Sequence, residues 1–555
     1  MDLVIKGGKV VDGSGSPPFR ADVGIRDGMI VAVGGSLEGS DSLDASGAFV
    51  VPGFIDLHTH YDAQIHWDPW LTPSCYQGVT SVIAGNCGLS LAPCHAESRE
   101  TMVGTLESVE DMSPATLWEG VEWDFESFAE YVELLRRRGL GVNFGALVGH
   151  NAIRLWVMGD EAHERRATED EIADMVRVLG ESLDAGAAGV SIDRSRFHMG
   201  YQGRKTPSSV AGLDEVEALL TEAGRRSSLA QVNPDEEWDW LYAVQQRVGC
   251  KITWTALTTT PPDTAFRTPW RTRLAGHRDG WAKGAQVFPQ VSCRPITFQM
   301  TMLNPSPFVN VPTIRELMST VDLSAKLELC MDPEWQSNAA TDIAAGKFVN
   351  PRWDNFSIDE SGDESLRGRR ISDLATERGQ DPFKTMIEVS VADRLATRYR
   401  VTFANDDEEG VRELLTTEGC VLGISDAGAH ISQLCDAPLP TDFLANWVRD
   451  REIVPFESGV RRLTGELADL VGLEDRGHVA AGCHADIVVL DLDELDPGPL
   501  RRVSDLPGGG ERLVADQPSG IRHVLVNGVQ ACVDGRWAIS DPATPLRGSV
   551  LRPSP

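Results

Sequence analysis

The chain has 555 residues, ten of them cysteine, with 41% hydrophobic residues and a formal charge of −32. At about 150 residues per domain, this length allows three to four domains, or one large barrel with an accessory domain, with apolar content enough for a sizeable core. The acidic balance argues against nucleic acid and anionic membranes as partners, since both need basic surface, and cysteines without a CxxC pair or dense spacing argue against a disulfide framework and for reduced thiols in the cytoplasm.

The opening MDLVIKGGKVVDG lacks a basic leader before a long apolar segment, so no signal peptide is expected. No run of about 18 apolar residues suggests a membrane span. Residues 1–50 read as short strands broken by glycine turns, with Asp27-Gly28 as a hairpin signal. Residues 475–545 have the same character: ADIVVLDLD from 485, then IRHVLVNGVQACVDGRW from 521 with a turn at Asn527-Gly528. Chain ends often lie close together, so the two segments are expected to form one small composite β-sandwich.

Between them, in 51–474, apolar strand candidates alternate with helical patterns. The strands are GAFVVPGFIDLHTH, VTSVIAGN (79–86), GVNFGALVGH (141–150), AAGVSID (187–193), SLAQVN (228–233), CKITWTAL (250–257), AQVFPQVS (285–292) and CVLGISDA (420–427). Two helices open on capping boxes, Ser127…Glu130 and Thr168…Glu171, the second ending near Gly186. This alternation predicts an α/β fold, a TIM-like (β/α)8 barrel whose active site lies at the C-terminal strand ends. Residues from about 294 to 418 are too many for one connection and are expected to hold extra helices covering the barrel mouth.

The first barrel strand ends in VVPGFIDLHTHYDAQIHWDP, residues 50–69. Residues i and i+2 of a strand share a face, so His58 and His60 project together, and paired imidazoles suit Zn²⁺ or a similar cation. Asp426 in LGISDAGAH ends the eighth strand, which a closed barrel places beside the first. A carboxylate there can ligate a metal, take a proton from a water whose pKa the metal lowers to about 7, and protonate a leaving amine. Cys87 in AGNCGLSLAP ends the second strand, within reach of the same metal or as a buried structural thiol. GISDA misses the GxSxG nucleophile elbow, its last position being Ala427, and neither GxxxxGK[ST] nor HExxH occurs.

Taken together, PGFIDLHTHYD (52–62), GVTSVIAGNCGLSLAP (78–93), LVGHNAIRLWVMG (147–159), GAAGVS (186–191), GISDAGA (423–429) and RGHVAAGCHADIVVLD (476–491) resemble the amidohydrolase superfamily, and within it the D-aminoacylase (N-acyl-D-amino-acid deacylase) family. The resemblance spans nearly the whole chain. It implies a metal-dependent hydrolase of a carbon–nitrogen amide bond. His58, His60 and Asp426 would hold one metal position, Cys87 would help bind the zinc, and Asp426 would be the general base and acid. The family pattern also puts metal histidines on strands five and six, yet no histidine occurs from 199 to 276, and Gln231, Val232 and Thr255 are the nearest occupants. Amides and hydroxyls replace imidazole poorly on zinc, so one Zn²⁺, or another divalent cation, is expected, with Cys87 an open fourth ligand.

The family's carboxylate-gripping residues do not match either. The lysine after strand six and the strand-seven tyrosine are missing, and CDAPLPTDF replaces the HPR-type segment. Arg194, Arg196, Arg294 and His430 are candidate replacements, and His150, ending strand three, is a candidate contact to the substrate carbonyl or a ligand. His198 in SRFHMGY is read as non-catalytic, although it follows strand four. The expected partner is a small-molecule amide. Alternatives are a cyclic amide hydrolase or deaminase on the same machinery, or a catalytically degenerate binding homologue.

Overall fold

The computed structural model describes residues 1–196, 198–261, 268–305, 308, 311–345, 351–539, 541 and 543–554. The chain forms two compact units, one of residues 1–257, 274–294 and 412–555, the other of 258–273 and 295–411.

The first unit is built around a parallel sheet of eight strands in chain order: β1 (Phe54–Asp56), β2 (Val79–Ala84), β3 (Asn143–Gly149), β4 (Gly189–Asp193), β5 (Leu229–Asn233), β6 (Ile252–Trp254), β7 (Val287–Val291) and β8 (Val421–Leu422). A parallel bridge between Thr59 and Ala427, with the His60 N–H donating to the Ala427 carbonyl at 2.8 Å, joins the segments after β1 and β8 and closes the barrel. Strands β2 and β3 are buried along their whole length, as both faces of a barrel strand are covered. The barrel helices used below are α1 (Arg99–Glu110), α2 (His150–Met158), α3 (Glu169–Asp184) and α4 (Leu213–Arg225). Both expected capping boxes are present, at Phe128–Arg138 and at α3.

The chain ends supply a β-sandwich. One sheet pairs Met29–Gly34, Asp22–Arg26, Leu3–Lys6 and Asp41–Asp44; the other runs Arg536–Trp537, Val529–Val533, Ile521–Val526, Ile487–Leu490, Phe49–Pro52, Lys9–Val10 and Phe19–Arg20. Ile5, Val23, Ile30, Val50, Ile487 and Leu525 from the two sheets share one core. Positive φ at Asp27, Gly28, Asn527 and Gly528 makes the two tight hairpins. The apolar run read as one strand through 47–60 serves two sheets, because Gly53 breaks it. Phe49–Pro52 pairs with Ile487–Leu490, while Phe54–Asp56 pairs with β2. A side chain at Gly53 would collide with the Thr80 hydroxyl and methyl groups.

The second unit contains helices, among them Leu323–Met331, Pro333–Ala344 and Pro382–Ala392, and also a sheet that the sequence did not lead us to expect. Ile296–Met300, Arg398–Ala404 and Phe356–Glu360 form a three-stranded antiparallel sheet. The segment RYRVTFA alternates, with Tyr399 and Val401 buried against Phe308, Phe356 and Met386, which is the period of a half-buried strand. Residues 306, 307, 309, 310 and 346–350 of this insertion lie outside the described residues.

Candidate metal centre

His58 and His60 follow β1 at the mouth of the barrel, and both are buried. The Asn86 amide donates to the carbonyls of Leu57, Thr59 and Ile83, and the Thr59 hydroxyl donates to Ile83. These bonds pin the end of the first strand to the second, and the two imidazoles come to the same side with ring centres 5.4 Å apart. Asp426, after β8, places Oδ1 3.4 Å from His58 Nε2 and 3.2 Å from His60 Nε2. Cys87 Sγ lies 3.4 Å from His58 Nε2. The ligand atoms of His58, His60 and Cys87 all fall within 4.8 Å of one another. Both Cys87 and Asp426 sit in the left-handed backbone region, φ 52° and 51°, a costly conformation for non-glycine residues that recurs at functional sites.

Each imidazole has a partner on its far nitrogen. His58 Nδ1 is 2.6 Å from Gln290 Oε1 on β7, and His60 Nδ1 is 3.3 Å from Glu110 Oε1 at the end of α1. An amide oxygen only accepts, so His58 carries its proton on Nδ1 and turns the Nε2 lone pair toward Cys87 and Asp426. Burial pulls the His58 imidazole down to about 4. Burial also opposes charge on His60, but the negative charges of Glu110 and Asp426 outweigh it and raise His60 well above the ordinary value. Burial alone would raise Asp426; the two imidazoles outweigh it and hold the carboxyl below the ordinary range. Burial pushes the Cys87 thiol up to about 12, against the pull of His60.

This donor set fits a cation. Zinc bonds of about 2.0–2.3 Å in a tetrahedron put neighbouring donor atoms roughly 3.3–3.7 Å apart. The donor spacings of 3.2–3.4 Å come close to that range. Two further carboxylates face inward with an unpartnered buried oxygen, Glu110 Oε2 and Asp62 Oδ1. Burial raises Asp62 to about 7, and likewise Asp56, which accepts from the Ser425 hydroxyl at 2.6 Å.

On β5 and just after β6, where the resembled pattern has histidines, the side chains bond within the protein. Gln231 Oε1 accepts from the Cys87 N–H at 2.8 Å, and Gln231 Nε2 donates to Thr255 Oγ1 at 2.9 Å. Val232 is buried.

The remaining candidates disperse. His150 opens α2 with both ring nitrogens taken, Nδ1 by Ser208 Oγ at 2.8 Å and Nε2 by Glu215 Oε1 at 2.7 Å, and Arg154 Nη1 meets both Glu215 oxygens at 2.6 Å. Both ring nitrogens of His150 therefore bond to side chains of the helix layer. Arg294 pairs with Asp436 at 2.7 Å and Asp442 at 3.1 Å, and Arg196 with Asp235 and Glu236. Burial lowers Arg194, and the charges acting on it belong to Glu237, Asp235, Arg166 and Glu215; alternation along β4 sends Asp193 inward and Arg194 outward. Only His430 stays beside the cluster, its Nε2 3.9 Å from Asp426 Oδ2.

Sequence reasoning missed Glu110 and Gln290. Glu110 carried one signal: ESVEDM ends a helix in two acidic residues, where the macrodipole disfavours negative charge. Gln290 carried none.

The model of the amidohydrolase family matches residues 41–531. An N-acyl-D-glutamate deacylase from Alcaligenes xylosoxydans xylosoxydans is 30% identical, over 95% of this chain and 93% of that protein. A D-aminoacylase from the same organism is 26% identical over the same shares. The crystal structure of N-acyl-D-glutamate deacylase from Bordetella bronchiseptica, complexed with zinc and a phosphonate mimic of the tetrahedral intermediate, superposes with a TM-score of 0.67 at 26% identity, over 99% of both chains.

Proposed function

The chain belongs to the amidohydrolase family, and from that membership we propose that it hydrolyses the amide bond of an N-acyl amino acid. The observation that carries this reading is the cluster of His58, His60 and Cys87 donor atoms at the barrel mouth, with Asp426 Oδ1 reaching both imidazoles. Those four side chains would hold one divalent cation, Zn²⁺ first. When bound, the cation supplies a Lewis acid for the amide carbonyl and makes water acidic enough to act near neutral pH. A single ion is favoured because Gln231 and Thr255 spend their polar atoms on each other and on the Cys87 backbone.

The protein's own part centres on Asp426. Its Oδ1 faces the imidazole pair and its Oδ2 faces His430. As water adds to the acyl carbon, Asp426 accepts its proton. The carbon–nitrogen bond then breaks, and the same proton passes to the departing amine. Gln290 and Glu110 hold the two imidazoles in place. The products are a carboxylate and a free amino acid.

Among the described residues no helix is long and apolar enough to cross a membrane. A cytoplasmic location belongs to the same proposal, supported by ten buried free cysteines.

The test is hydrolysis of a panel of N-acyl-D- and L-amino acids, hydantoins and aminated heterocycles by zinc-loaded protein. Turnover of linear N-acyl amino acids, abolished by a chelator and reduced by about 10²–10⁴ in Asp426→Asn, is expected. Undiminished turnover after metal removal, or turnover of cyclic substrates alone, would reject the reading.

A further inference from the structure

His198 lies in the loop after β4, next to Phe197, which is outside the described residues. Its Nδ1 is 2.6 Å from Asp193 Oδ2. Asp193 is fully buried at the end of β4, and its Oδ1 accepts from the Ser195 N–H at 3.1 Å, so the carboxylate is fixed at both oxygens. Asp193 abuts the turn that carries Cys87: a Cβ on Gly88 would lie 3.1 Å from Asp193 N and 3.5 Å from its Cβ. On the other side the loop is seated on α1. The Tyr201 N–H donates to Thr105 Oγ1 at 3.4 Å, and a side chain at Gly104 would strike the Tyr201 ring. Helix α1 ends at Glu110, which touches His60. His198 is therefore held between the wall bearing Cys87 and the helix bearing Glu110.

Its Nε2 makes no hydrogen bond to a described residue, and the side chain is 27% exposed. Nor does it join the group of close metal donors. Burial opposes its positive charge, but Asp193, then Glu110 and Asp426, outweigh burial and raise the imidazole to about 9. Two nearby cations that could serve an anionic substrate are otherwise engaged, since Arg196 and Arg294 sit in ion pairs.

We propose, resting on the deacylase reading above, that His198, held by Asp193, receives the carboxylate of the N-acyl amino acid through its Nε2–H. A fixed imidazolium at the mouth offsets the carboxylates of Glu110, Asp193 and Asp426, which would otherwise repel an anionic substrate.

The test compares N-acetyl-D-alanine with its uncharged amide, N-acetyl-D-alaninamide, on zinc-loaded wild type, His198→Gln, His198→Arg and Asp193→Asn. Binding is read by calorimetry and turnover by amine release. Wild type is expected to prefer the acid at least tenfold. His198→Gln should lose that preference through KM, with the amide changed less than about twofold, His198→Arg should restore it in part, and Asp193→Asn should fall between. Unchanged zinc content and near-ultraviolet circular dichroism certify folding. An acid preference that survives in His198→Gln, an equal loss on acid and amide, or no acid binding by wild type would overturn the proposal. Wild type that binds the acid but never cleaves it would instead sink the deacylase reading alone.

Discussion

Gln290→Met is the most informative single change. Gln290 is buried on β7, and its Oε1 takes the His58 Nδ1–H at 2.6 Å. Methionine keeps the length and removes the acceptor. The His58 ring is fully buried, so no water can replace the lost partner, and the nearest remaining oxygen, Thr255 Oγ1, is 3.4 Å away. An unsatisfied buried donor costs about 1–3 kcal/mol. The ring can recover that energy by moving its proton to Nε2, which hides the lone pair the cation needs. Either way zinc affinity should fall about 10–100-fold, the usual range for loss of a partner behind a metal histidine. Zinc transfer from a chromophoric chelator to metal-free protein measures this, and Gln290→Glu, which keeps the acceptor, should bind within a few-fold of wild type or tighter. Affinity within twofold of wild type in Gln290→Met would refute the orientation assigned to His58.

Other consequences are checked away from the metal. Burial raises Glu215, but His150 and Arg154 outweigh it and bring the carboxyl down to about 2 from an ordinary 4.5. A depressed carboxylate stabilises the fold above its unfolded value, and that contribution is lost as pH falls from about 4.5 toward 2, amounting to about 3 kcal/mol in full. The stability advantage of wild type over Glu215→Gln, measured by denaturant unfolding at pH 6 and pH 3, should therefore shrink at the lower pH; an advantage independent of pH would contradict an ionised Glu215. Gly53→Ala should destabilise the protein by about 1–3 kcal/mol through overpacking against Thr80, seen as a lower melting temperature; an unchanged melting temperature would show that Thr80 can move aside.

The parts legible in sequence were those written in local periodicity. Continuous apolar runs such as VTSVIA mark covered strands, capping boxes mark helix starts, and the two-residue spacing of His58 and His60 sets their common face. Tertiary choices were not legible. Nothing in the run through 47–60 says that its halves join different sheets, which Gly53 and the close approach of Thr80 decide. The insertion did contain an alternating RYRVTFA, but helical stretches around it hid the signal. Within the site, a guanidinium or imidazole in sequence does not reveal its acceptor. Arg294 meets Asp436 and His150 meets Glu215 across long separations, whereas His198, set aside on sequence, stands beside the mouth because Asp193 holds it. Gln290 is decided by the barrel's closure, which brings β7 behind the first strand's histidine.

The most direct measurement is a crystal structure of zinc-loaded protein with anomalous data collected across the zinc edge. The account predicts one strong peak bounded by His58, His60, Asp426 and Cys87. A peak elsewhere, a second peak of equal height against Gln231 and Thr255, or no peak at saturating zinc would contradict it.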